Sequence, residues 1–148
     1  MEILWSEAIA NNNSKLLIGV IYRPPNSKAE YWDNFLYNLQ QALDLNIPIL
    51  LLGDFNVNML SNQSRQFKLL LQQLNLTNLI NNVTNFTTHT GPCIELILTN
   101  NNILIQNQYT TATFCSSHSV FSVQIKFTVH KQYAYKRVVR NYENVNFH

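Results

Sequence analysis

The chain alternates apolar runs with short polar breaks, and the period of each run sets the element it predicts. Glu2 to Ile9 and Lys15 to Arg23 are two such runs, the second carrying the unbroken core Leu16-Leu17-Ile18-Gly19-Val20-Ile21-Tyr22. With the Asn11 to Ser14 turn between them they predict a hairpin. Arg23-Pro24-Pro25-Asn26 then stops the strand, because proline cannot donate to a ladder. Behind Ser27 and Glu30, which have the spacing of a capping box, Trp32, Phe35, Leu36, Leu39, Ala42 and Leu43 recur at helical spacing. Ser64 opens a second predicted helix with the stripe Phe67, Leu70, Leu71 and Leu74. Both stripes read as core packing rather than as ligand boxes.

Between the helices, Ile49 to Leu52 are apolar on both alternating faces, as a strand buried between two layers must be, and Pro48 bars a helix from running in. Gly53 ends the run. Further on, Thr84 to Gly91 is a polar loop containing His89, and Ile94 to Leu98 reads as a strand with one acid, Glu95, inside it. Ser116-Ser117-His118-Ser119 precedes a last strand in which Phe121, Val123, Ile125, Phe127 and Val129 alternate with polar residues, so that strand is half solvated. A hairpin, two helices, and late strands not separated by helices predict an α/β (α+β) fold with a mixed sheet of roughly five to seven strands.

Composition adds limits. The 148 residues suit one domain, and 46% are hydrophobic. Only 12% are charged, about half the usual share, and asparagine clusters take their place as polar loop filler. A net charge of +2 does not by itself argue for nucleic acid, yet five of the ten basic residues (Lys126, Lys131, Lys136, Arg137, Arg140) fall in the last strand and tail. Residues 130–148 lack any period and mix these cations with Tyr133, Tyr135 and Tyr142, a composition that could follow a nucleic-acid backbone, a solvated linker being the plainer reading. Cys93 and Cys115 lack metal-ligand spacing and read as thiols in a reducing compartment. No stretch has the length of a membrane span or the grammar of a signal peptide, so a soluble intracellular protein is expected.

Candidate chemistry centres on Asp54 and Asn56, just past a buried strand. A carboxylate and a carboxamide at a sheet's rim suit phosphoryl transfer with a hard cation. The same pair also makes an ordinary turn, each side chain bonding nearby backbone. Glu95 needs a donor wherever it is buried: a lysine, an arginine, or a histidine.

Four motifs in order, Ile18-Gly19-Val20-Ile21-Tyr22-Arg23-Pro24-Pro25, Leu51-Leu52-Gly53-Asp54-Phe55-Asn56, Ile94-Glu95-Leu96-Ile97-Leu98-Thr99-Asn100 and Ser116-Ser117-His118-Ser119, resemble the endonuclease/exonuclease/phosphatase family. Within it the chain is most similar to the endonuclease domain of non-LTR (LINE-type, jockey-like) retrotransposons. The resemblance implies a four-layer α/β sandwich with mixed sheets, of which this would be the C-terminal part, and Mg²⁺-dependent hydrolysis of a DNA phosphodiester. It implies that Asp54 orients or deprotonates the attacking water, with Asn56 beside it. Tyr22 and Arg23 match the phosphate-side pair, and His118 matches the histidine that stabilises developing charge, with Glu95 where the family has an aspartate. Ser117 stands where the family has a metal-proximal aspartate.

The family's N-terminal segment, with its metal-binding glutamate, would precede Met1. Residues 1–129 are then expected to be a partial endonuclease domain, and 130–148 a basic linker toward a reverse transcriptase. The parent element would act on nuclear DNA, and the fragment as it stands is expected to bind metal weakly and cleave poorly. Two other readings stay open: a non-catalytic remnant or nucleic-acid-binding module, and a nucleotide or phosphoinositide phosphatase of the same superfamily.

Overall fold

The computed structural model describes residues 2–85, 91–111 and 116–128. Strands β1 (Glu2–Ile9) and β2 (Lys15–Tyr22) form the expected antiparallel hairpin, and helix α1 (Ala29–Leu43) carries the chain over to β3 (Ile49–Asp54), parallel to β2. Helix α2 (Arg65–Gln73) and the two-residue β4 (Thr77–Asn78) precede β5 (Glu95–Thr99), which runs antiparallel to β3 and β4. The sheet order is β1-β2-β3-β5-β4, and the fold is mixed α/β as the patterning required. Strands β6 (Ile105–Thr111) and β7 (Val120–Ile125) pair as a separate two-stranded sheet.

Side-chain alternation gives the large sheet two unequal faces. Leu17, Ile21, Ile49, Leu51, Leu96 and Leu98 share one face and are buried, under the helices. The Phe35, Phe55 and Phe67 rings meet there edge-on or tilted, at 5.8 to 6.5 Å between centroids. Gly19 leaves room on that face for Trp5, whose indole would lie 2.5 Å from a Cβ built at position 19. The other face carries Leu16, Leu50, Ile97 and Thr99, which are buried, and also Leu4 and Val20, which are 73% and 53% exposed. Phe121, Val123 and Ile125 turn the apolar side of β7 onto the core.

The helix starts differ from the capping expectation. Lys28 is the N-cap of α1 and makes no side-chain cap bond, while Ser27 donates its hydroxyl to the Pro24 carbonyl at 2.6 Å. Two prolines and Asn26, at φ 59°, tighten the turn so that Ser27 bonds backward instead of forward. Ser64 likewise bonds back to the Ser61 carbonyl, and it is Ser61 that accepts from Gln63 N in a 3₁₀ turn ahead of α2. The strand expected from Ile94 begins one residue later, and the last strand ends at Ile125. Strands β4 and β6 were not foreseen: the first has two polar residues, and the second, IQNQYTT, is exposed along nearly its whole length. Part of the Thr84 to Gly91 loop, with His89, lies outside the described residues, as do Cys115, Val129 and the basic tail.

Candidate active site

Three strand ends build the site. In register, Tyr22 of β2 lies beside Asp54 of β3, and Asp54 lies opposite Glu95 of β5, so the three side chains form a row across one rim of the sheet. Gly53 makes this possible. Its φ of +151° and the approach of the Ile21 carbonyl, 1.8 Å from where a Cβ would sit, admit only glycine before Asp54.

His118 completes the row from the segment leading into β7. Its Nδ1 meets Glu95 Oε1, and suitable ligand atoms of Asp54, Glu95 and His118 all lie within 4.8 Å of one another. The acid inside an apolar strand therefore finds a histidine. Ser116, not Ser117, steadies that segment, its hydroxyl accepting from His118 N at 3.0 Å. Ser117 is half-buried next to the histidine.

Asp54 and Asn56 also make the local turn that was the plainer reading. Asp54 Oδ1 accepts from Asn56 N at 2.8 Å and Oδ2 from Asn56 Nδ2 at 3.2 Å, while Asn56 sits at φ 46°, which asparagine tolerates. The turn aims the carboxylate and leaves it available to the row. Burial pushes the Asp54 carboxyl above its ordinary value, and the Glu95 charge opposite adds to this, against the bonds from Asn56 and the attraction of His118.

Arg23 lies apart from this row. Its Nη1 donates to the Phe55 and Asn56 carbonyls at 3.2 and 3.1 Å, its guanidinium lies 4.8 Å from the Trp32 ring centroid, and its backbone N bonds the Asp54 carbonyl. Asn56 returns a bond to the Arg23 carbonyl at 2.7 Å. Arg23 thus clasps the loop that presents Asp54. Tyr22 is about half exposed on the face of the row.

Two further residues escaped the sequence reading. Thr84, fully buried, accepts through Oγ1 from Ile94 N and Glu95 N at 2.8 and 3.2 Å and so holds the start of β5. Asn85 places Nδ2 3.2 Å from His118 Nε2. Both were hidden in a stretch rich in asparagine and threonine, where composition alone marks a loop.

The residues present fit a hard divalent cation. Two carboxylates directly opposite each other repel unless a positive charge lies between them, and Glu95 Oε2 is buried with no hydrogen-bond partner among the described residues. Carboxylate oxygens of this kind suit a hard cation better than a soft one.

A mixed α/β sheet with an Asp, a Glu and a His gathered at one rim fits the endonuclease/exonuclease/phosphatase group, the class to which the family match over residues 16–122 assigns the chain. More narrowly, residues 16–122 match the family model described as endonuclease–reverse transcriptase, and the chain belongs to that family. Among solved structures it is similar to the endonuclease domain of TRAS1, a telomere-specific non-LTR retrotransposon, with a TM-score of 0.69 at 15% identity over 84% of this chain and 64% of that one. An endonuclease/exonuclease/phosphatase family protein from Leptotrichia buccalis C-1013-b gives 0.62 at 14% identity over 84% and 54%. At these identities the likeness is one of fold, and the chain spans less than two thirds of either structure's length. No curated protein matches the sequence.

Proposed function

We propose that the chain is the catalytic-rim portion of a Mg²⁺-dependent DNA endonuclease of the retrotransposon type, which nicks target DNA by phosphodiester hydrolysis. The observation that carries this reading is the convergence of Asp54, Glu95 and His118, from segments far apart in sequence, at one rim of the sheet. In this reading Asp54, its carboxyl raised by burial, takes a proton from water as the water oxygen bonds to phosphorus; the bond from phosphorus to the leaving strand oxygen breaks, and that oxygen takes a proton from solvent. Asn56 fixes the carboxylate, and Tyr22 faces the phosphate. His118, oriented by Glu95, supports charge developing on the phosphoryl oxygens.

Asp54 and Glu95 would hold the metal, which when bound supplies Lewis-acid stabilisation of phosphate charge. Two carboxylates are few for a cation that takes about six oxygen ligands, and Ser117 adds a hydroxyl at most, so binding is weak. Residues 1–129 then form a partial endonuclease domain, and 130–148 a basic linker leading to a reverse transcriptase that works on nuclear DNA. A second reading, a non-catalytic remnant, is favoured by Ser117, a hydroxyl where a carboxylate would serve a metal better.

The test is nicking of supercoiled plasmid with and without Mg²⁺. Slow Mg²⁺-dependent nicking that falls by about 100-fold or more in Asp54→Ala supports the enzyme. No nicking at millimolar Mg²⁺, or nicking indifferent to Asp54→Ala, supports the remnant.

A further inference from the structure

The imidazole of His118 is flanked at both nitrogens. Nδ1 meets Glu95, and Nε2 lies 3.2 Å from the Asn85 carboxamide nitrogen. The backbone around Asn85 is tied on every side. Asn85 and His118 form an antiparallel bridge, Ser119 N bonds the Thr84 carbonyl at 2.9 Å, and both Thr84 N and Asn85 N bond the Pro92 carbonyl. Through Oγ1 the adjacent Thr84 holds the backbone of Glu95. One dipeptide thus fixes the carboxylate strand by one side chain and reaches the histidine by the next.

We propose that Asn85 is a positioning residue for His118: its amide N–H donates to Nε2, so the ring is clamped from both sides with its proton on Nδ1, toward Glu95. An imidazole held only at Nδ1 can still swing about that bond, whereas a second partner 3.2 Å from Nε2 fixes the ring plane. The amide suits this because it brings a donor to the ring's lone pair. An aspartate in its place could only accept, and would draw the proton to Nε2. Asn85 is 9% exposed, so water competes poorly for the contact. Under the proposed nuclease function, Nε2 is the side of the ring turned to the substrate phosphate. Asn85 then sets where that nitrogen points before substrate arrives and releases it when the phosphate binds, and Nε2 takes up a proton from solvent to donate to a phosphoryl oxygen. The inference deepens the proposed function and depends on it only for this last step.

The test is ¹⁵N NMR of the full chain labelled at histidine and recorded at alkaline pH, with His118 assigned by loss of its signals in His118→Gln. The expected spectrum shows a protonated Nδ1 and an Nε2 shifted by an accepted hydrogen bond. In Asn85→Ala the Nε2 signal should move to the position of an unbonded pyridine-type nitrogen, while backbone amide shifts remote from the site stay in place. Asn85→Asp should transfer the proton to Nε2, and Asn85→Gln should partly restore the wild-type pattern. A wild-type ring protonated at Nε2 overturns the proposal even if no variant folds, and so does an Nε2 signal indifferent to Asn85→Ala. These readouts need no nicking, so a chain that fails to cleave DNA sinks the enzyme reading and leaves the clamp to be judged on its spectrum.

Discussion

Asp54 sets the terms at the scale of single residues, because the burial and the Glu95 charge that suit it to proton abstraction also oppose its ionisation. A carboxyl whose folded value lies above its unfolded one is held protonated more tightly by the native state. Its contribution is therefore most favourable below the ordinary carboxylate range and is lost as pH rises through the folded value. Asp54→Asn should then stabilise the chain more at neutral pH than at pH 3 in urea unfolding, although it removes the proposed base. A stability difference that shrinks toward neutrality would contradict this. Cys93 obeys the same sign rule at higher pH. Burial, and secondarily the Glu95 charge, push its thiol up to about 11, so its share of stability declines between about 9 and 11. In a Cys115→Ser background, iodoacetamide at pH 8 should leave the folded protein unmodified and label Cys93 only once urea unfolds it.

The exit of β3 decides how the elements present the site. Gly53→Ala would drive a Cβ into the Ile21 carbonyl at an unfavourable φ, and should cost more than about 3 kcal/mol in denaturant unfolding. Arg23 supports the same exit by bonding two carbonyls and stacking on Trp32. Removing charged bonds to half-buried carbonyls costs roughly 2–4 kcal/mol, and lysine cannot reproduce the planar fork, so Arg23→Lys should recover less than half of what Arg23→Ala loses. If Arg23 instead contacted phosphate directly, either variant would leave stability nearly unchanged and weaken DNA binding alone.

Across the whole molecule, the face that carries the active row is only partly covered. Leu4, Val20 and Tyr22 form an exposed strip on it, and Leu4 and Val20 are paired across β1 and β2. Contiguous apolar surface of this kind drives association. The chain is expected to self-associate as concentration rises, and Leu4→Lys with Val20→Thr should shift light scattering toward monomer without loss of stability. A wild-type chain monodisperse at every concentration would show that the strip is inert.

The sequence by itself determined whatever depends on neighbours along the chain. Apolar runs marked β1, β2 and β3 and a helical period marked α1, the glycine before Asp54 marked the end of the apolar run, and an acid inside Ile94 to Leu98 announced the need for a partner. Local chemistry misled at the start of α1, where a nearby carbonyl competed for the capping hydroxyl. Ser27 found the Pro24 carbonyl rather than the helix start, and the bonds of Arg23 to the Phe55 and Asn56 carbonyls, 32 and 33 residues away, had no local signal. Strand β6 gave no signal, because nearly every residue in it faces solvent and its pairing with β7 rests on backbone bonds and an exposed Asn107–Gln124 side-chain bond. That Glu95 meets His118 was expected from the four-motif resemblance, and the structure brings the two together; that Thr84 and Asn85 brace them was left to tertiary structure. Those contacts arise from strand register and loop closure, and no residue type or spacing encodes them locally.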